Sequence, residues 1–412
     1  METLPVEVKA MVLASIEDQQ SLISLAQTDK TFYDIYKQDE AKLYTNLCYQ
    51  KIGDELMPLA LAVANSRSLL CSRQSYGQPQ CRLSATTNES ITAFVNCHFP
   101  QKTKDRHMDP KYSMKLLSFY DVADTYAPAL AQLALQSAPG GHTSMDCTES
   151  EISRIRKSLY IMELLSNIFP RNHSSPASVA MPQEAALYPA WSHLLSKFAP
   201  WELQQVRCTK DVLAQQVQNV IWSDAAAKGQ KQLAADFRLL RSFVSNEGLS
   251  CLSELEGLRN DCSTGEAVKK FLGLSQSWSA SDSWFGTHDG IWLQQGQGAP
   301  IIDFGVVPDV LARYPEADSG PRDAWLHTLL QTHADEDMFD AGSRDCFKCD
   351  HHAAGWGYAY WDRQRLELIA RGTLPTTEEM LSTCNIQLPA EEFFFYAKFR
   401  KERMCKCRRY NV

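Results

Sequence analysis

Apolar side chains return at helical spacing from the start of the chain, at Leu4, Val8, Met11, Val12 and Ile16. A repeat of three and four residues lines one side of a helix and excludes a strand, whose side chains alternate in twos. Pro5 suits the first helical turn, where its missing N–H costs nothing, and Glu7 favours the positive helix start. Asp18 is placed to cap a second short helix through Leu22, Ile23, Leu25 and Ala26, and Thr28 or Asp29 to cap a third. In that third helix Phe32, Ile35, Tyr36, Leu43 and Leu47 fall near one face. Asp39 interrupts the face, so a break is expected near Gln38. Three short helices in residues 1–50 predict a compact bundle. In the first helix Val8, Met11 and Val12 cluster, whereas Val6 and Leu13 point roughly 100–180° away. A three-helix unit buries only one stripe of each helix, so Pro5, Leu13, Ile16 and Leu22 are expected to form an outward apolar surface.

The pattern stays helical further on. Helices are predicted over 54–70, over 112–136 with a bend at Pro128, and over 149–169. The last opens with Thr148-Glu149-Ser150-Glu151, a capping box in which Thr148 and Glu151 satisfy each other's backbone N–H. It should bury Ile152, Ile155, Leu159, Met162 and Leu165 and end at Pro170. Helices over 183–225, 230–245 and 266–272 follow, with loops at 75–90, 137–148 and 171–182 where Ser, Thr, Gly, Pro and Asn gather.

Near Leu274 the composition changes. Six of the nine tryptophans and ten of the nineteen glycines lie beyond it. From Asp282 to Asp345 twelve acids face three arginines and no lysine, a local charge of −9 against −8 for the whole chain of 412 residues. The end reverses sign with Lys398, Arg400, Lys401, Arg403, Lys406, Arg408 and Arg409. The expected architecture is mainly α: a three-helix unit at 1–50, an extended helical body at 51–273, and a less regular Trp/Gly/Asp-rich module at 274–412. Helices are predicted there at 321–332 and 361–370.

A mildly acidic total argues against broad nucleic-acid binding, which needs phosphate-neutralising Lys and Arg. Thirteen scattered cysteines, an odd number, suit a reducing compartment better than a disulfide scaffold. The first residues lack the basic and apolar regions of a signal peptide, and no apolar run approaches the ~18–20 residues of a membrane span. A cytoplasmic or nuclear protein is expected, with neither membrane nor nucleic acid as partner.

The opening resembles an F-box. The residues that carry the resemblance are Leu4-Pro5-x-Glu7-Val8, Val12-Leu13, Ile16-x-Asp18, Ser21-Leu22, Leu25, Thr28 and Phe32. The spacing of Thr28, Phe32 and Tyr36 is similar to F-box-like proteins abundant in filamentous fungi. So is the late stretch Gly355-Trp356-Gly357-Tyr358-Ala359-Tyr360-Trp361-Asp362-Arg363 with Leu366 and Glu367. The resemblance implies a substrate-recruiting subunit of a cullin–RING ubiquitin ligase, with Leu4, Pro5, Leu13, Ile16, Leu22 and Leu25 binding a Skp-type adaptor. The remaining chain would recognise an unknown protein substrate, with no catalysis and no cofactor of its own. The alternative is an adaptor-independent helical scaffold in which these helices pack on the protein's own body.

Other motifs point less far. Cys346-x-x-Cys349-x-His351-His352 has the spacing of two zinc thiolates, and a histidine or Cys405 and Cys407 would complete a tetrahedral site. The Cys405-x-Cys407 spacing is short for a second pair, so ordinary thiols beside a histidine pair are the preferred reading. Asp303-Phe304-Gly305 lacks the other kinase motifs. Asp335-Glu336-Asp337-x-x-Asp340 fails the calcium-loop template, and no phosphate loop or hydrolase elbow is present. Trp278, Trp284 and Trp292 are expected in a core.

Overall fold

A computed structural model describes residues 4–69, 88–99, 108–138, 146–168, 190, 192–227, 248–249, 307–334, 356–370, 372–376 and 379–380. These residues form a mainly α protein with no strand among them: ten α-helices and one 3₁₀ turn. Backbone contacts divide the chain into two compact units, Met1–Tyr126 with Glu163–Pro170, and Ala127–Met162 with Arg171–Val412.

The first unit starts with α1 (Val6–Ala14), α2 (Gln19–Ala26) and α3 (Lys30–Leu69). Their starts follow from local chemistry. The Asp18 carboxylate accepts the Ser21 N–H at 2.8 Å and begins α2, and Asp29 accepts the Thr31 N–H at 2.8 Å to begin α3. α1 and α2 both pack on α3. Phe32, Ile35, Tyr36, Leu43 and Leu47 are all buried, as the spacing predicts.

The expected break near Gln38 does not occur. α3 runs through Gln38 and departs from helical geometry at Gly53, with φ 78° and ψ 156°. That conformation is open essentially to glycine alone. Asp39 is tolerated because it lies half-buried at the edge of the stripe. The helix predicted over 54–70 is therefore the second half of α3.

α4 (Asn88–His98) also packs on α3. α5 (Pro110–Ser137) passes through Pro128 and contributes residues to both units. Within the first unit its start is tied to α3. Thr45 Oγ1 accepts the Met108 N–H at 3.0 Å, and Asn65 donates to the Tyr112 hydroxyl at 2.8 Å. α6 (Glu149–Ile168) matches its predicted bounds to one residue. Ile152, Ile155, Leu159, Met162 and Leu165 are all buried. Its last turn belongs to the first unit, where Asn167 donates to the Ser66 hydroxyl at 3.1 Å.

The second unit contains the start of α6, α7 (Pro200–Ala227), α8 (Val307–Arg313), α9 (Gly320–Ala334), a 3₁₀ turn (Tyr358–Tyr360) and α10 (Arg363–Ala370). The helix predicted over 183–225 is interrupted. Pro200 opens a new helix in the position that tolerates its missing N–H, and Glu202 accepts the Ala199 N–H at 2.7 Å. From Leu203 to Ala214 every residue of α7 is buried. A helix buried all round must find partners for its polar side chains, and Gln205 and Thr209 find them in the 3₁₀ turn.

Candidate functional site

Two regions carry the motifs read from the sequence. The first is α1, and it is turned the other way from expectation. Leu13 and Leu22 are both 1% exposed, in the core and not on an outward surface. Val8 and Met11, expected inward, are 38% and 71% exposed. Leu4 and Pro5 are exposed, and Ile16 and Leu25 are half-buried.

The cause of the inversion is Lys9. Its ammonium forms a 2.5 Å ion pair with Asp29 and lies 5.2 Å from the centre of the Phe32 ring. Lys9 and Leu13 are one turn apart, so anchoring Lys9 carries Leu13 inward and turns Val8 and Met11 out. The Lys9 partnership holds the Asp29 carboxyl below the usual carboxylate range, helped by the Thr31 N–H. Sequence reasoning missed Lys9 because a lysine among apolar residues reads as a solvent-facing side chain. Val8 and Met11, three residues apart, are exposed together along α1, with Val6 exposed in its first turn and Leu4 exposed just before its start.

The second region is the stretch Trp356–Arg365. Trp356, Tyr358, Tyr360 and Trp361 are buried, the last two completely. Gly357 adopts φ 68°, and a Cβ there would lie 2.4 Å from the Tyr360 ring, so glycine is required twice over. The Tyr360 hydroxyl pairs with Thr209 Oγ1 at 2.7 Å, which in turn meets Ser158 Oγ at 2.5 Å. Gln205 donates to the Ala359 carbonyl at 3.0 Å.

Around this buried turn lies a set of ion pairs. Arg154 donates to the Tyr360 carbonyl at 2.9 Å and to Asp362 at 2.6 Å. Arg365 meets Glu151 at 2.7 Å, and Arg363 meets Asp323 at 2.7 Å. The predicted capping box forms: Glu151 accepts the Thr148 N–H at 2.9 Å, and Thr148 Oγ1 accepts the Glu151 N–H at 3.3 Å. It does more than start a helix. The Thr148 hydroxyl donates to Asp362 at 2.7 Å, Ser150 Oγ reaches the same carboxylate at 2.9 Å, and Glu151 accepts the Asp362 N–H at 3.1 Å. Burial works to raise the Asp362 carboxyl, but the bonds from Thr148 and Arg154 outweigh it and hold the group below its ordinary range.

Glu316 and Asp318, within the strongly acidic segment, approach Arg154 at 3.7 and 4.0 Å. Trp201 packs against Tyr314 and Trp325, and its indole N–H donates to Glu316 at 2.9 Å. The basic tail lies outside the described residues.

Cys208, beside Thr209, is wholly buried, and burial pushes its thiol up to about 12, so it is protonated at neutral pH and is no nucleophile. Among the described residues no group of three or more His, Cys, Asp and Glu is arranged to hold a metal ion, and no helix is long and apolar enough to cross a membrane. The zinc-like set Cys346, Cys349, His351 and His352, with Cys405 and Cys407, lies outside the described residues. So do Trp278, Trp284, Trp292, Asp303-Phe304-Gly305 and Asp335–Asp340. Compared with protein-family models, with curated proteins and with solved structures, the chain matches none.

Proposed function

We propose that this chain is a substrate-recruiting subunit of a cullin–RING ubiquitin ligase, attached to a Skp-type adaptor through its first helix. The observation that carries the reading is the exposed apolar pair Val8 and Met11 on the first helix, whose Lys9 and Leu13 are packed inward, with Leu4 and Pro5 exposed just before its start. A docking helix presents apolar anchors at this spacing. Fully burying one such side chain is worth roughly 1.5–3 kcal/mol, so three of them carry much of a standard interface. The contact set differs from the one the F-box resemblance implies. Leu4, Pro5, Ile16 and Leu25 stay, Val8 and Met11 join, and Leu13 and Leu22 leave for the core. The second unit would present the substrate, and the protein would act by raising the concentration of a substrate lysine near the charged conjugating enzyme. This places its work in the cytoplasm or nucleus.

Co-expression with a Skp-type adaptor tests the proposal. The intact chain should retain the adaptor through affinity purification and gel filtration. Leu4→Ala combined with Pro5→Ala, or Met11→Asp alone, should lose it by tenfold or more, on the order of 1.4 kcal/mol. An intact, folded chain that ignores the adaptor ends the proposal. One observation favours a second reading, that of an adaptor-independent scaffold: Leu13 and Leu22 are shielded within the protein itself. On that reading the intact chain and the Met11→Asp variant behave alike.

A further inference from the structure

We propose that Thr148 is a phosphorylation site, and that its phosphate releases the Tyr358–Asp362 turn from the start of α6. The proposal goes beyond ligase recruitment and does not rest on it. Thr148 is exposed, and its hydroxyl is one of the groups that hold Asp362, donating to the carboxylate at 2.7 Å across 214 residues of sequence. Glutamates stand one and three residues after it, at Glu149 and Glu151, with Asp146 two before it. A kinase that reads acidic flanks selects this residue over Ser150, which has Glu151 next to it but Ser153 three residues on.

In the reaction Thr148 Oγ1 forms a new bond to the γ-phosphorus of ATP. The bond from that phosphorus to the β–γ bridging oxygen breaks, ADP leaves, and the hydroxyl proton passes to the kinase's base. The product carries about two negative charges where a hydrogen-bond donor stood. For α6 this is favourable, because a phosphate at a helix start meets unpaired N–H groups and the positive end of the dipole. For Asp362 it is unfavourable: the carboxylate loses its Thr148 donor and gains a dianion at the same distance. Arg154 cannot neutralise both, since it already serves Asp362, the Tyr360 carbonyl and Glu316. The helix therefore stays and the turn lets go.

Access and release reinforce each other. Glu149 is open to solvent, with 78% of its side chain exposed, whereas Glu151 is turned inward onto Arg365 and the Asp362 N–H. Loosening the turn exposes the second acid a kinase would read, and phosphorylation then holds the turn loose. By linkage, each event favours the other.

The test uses the full chain with casein kinase II and magnesium-ATP, followed by site mapping by mass spectrometry and amide hydrogen exchange. Phosphate is expected on Thr148, with exchange across residues 358–366 rising on the order of tenfold while α6 stays protected. An Asp362→Asn chain should take phosphate faster and show little further rise in exchange, because the carboxylate that the phosphate repels is gone. The proposal is overturned by phosphate confined to Ser150, by none on Thr148, or by Thr148 phosphate that leaves exchange at 358–366 unchanged.

Discussion

The α1 helix and the Trp356–Arg365 stretch differ in where they put their apolar surface. α1 hides a lysine and shows Val8 and Met11, whereas the late stretch hides four aromatic rings and shows none of them. Their electrostatics differ in the same sense. One ion pair, Lys9 to Asp29, orients α1. Three arginines, Arg154, Arg363 and Arg365, hold the late stretch, on acids from α6, α9 and the turn itself. An element held by many buried partners has little surface left to offer, and an element held by few keeps a face free for binding. The contrast leaves the first region with an exposed apolar face and the second with its rings enclosed.

Substitutions can break that contrast. The largest effect is expected at Trp361, fully buried, 5.7 Å from the Tyr360 ring centre and donating to the Trp356 carbonyl at 3.2 Å. Trp361→Ala should cost roughly 3–5 kcal/mol, read as a lower denaturant midpoint of the second unit. A loss below about 1 kcal/mol would mean the stretch is not part of a packed core.

Acid should act next. Burial of His327 lowers its imidazole to about 4. Between that value and the unfolded value near 6.5 the unfolded chain binds the extra proton. Stability is therefore whole above about pH 6.5 and falls by about 3 kcal/mol as the pH drops to 4. Melting temperature against pH should lose this slope in His327→Gln. The Asp362 carboxylate, held low, adds a further loss only in the more acidic carboxylate range, as pH falls through its lowered value.

Lys9→Met comes third. Asp29 is partly open to water and keeps its bond to the Thr31 N–H, so the cost should be about 1 kcal/mol. The sharper readout is orientation, since without the ion pair α1 is less firmly set and its amides should exchange faster.

The smallest effect is expected for Val8→Ser combined with Met11→Ser. On an exposed face the stability change should stay within about 0.5 kcal/mol. A clear destabilisation would show that this face is packed, and the contrast between the two regions would fail.

Much of the helical layout was legible, and the reasons are local. Asp18, Asp29 and Thr148 with Glu151 each act on backbone groups two or three residues away. The buried stripes of α3 and α6 followed from spacing alone. The break in α3 falls at Gly53 and not near Gln38, because a positive φ costs glycine little, whereas a half-buried Asp39 leaves the helix intact. The late aromatic run is legible as a motif, but nothing in the sequence marks Arg154, Thr148 and Ser150 as its partners, since more than 200 residues separate them from Asp362.

Caps and periodicity settle where a helix starts and which residues share a side, because those interactions close within one turn. Where apolar residues stand on more than one side of a helix, as in α1, they do not settle which side faces in. For α1 that choice rests on Asp29, twenty residues after Lys9, and on the Phe32 ring beneath it. For the Thr148 capping box it rests on a carboxylate from the far end of the chain. The energy that decides between two possible faces comes from partners that only folding brings within reach.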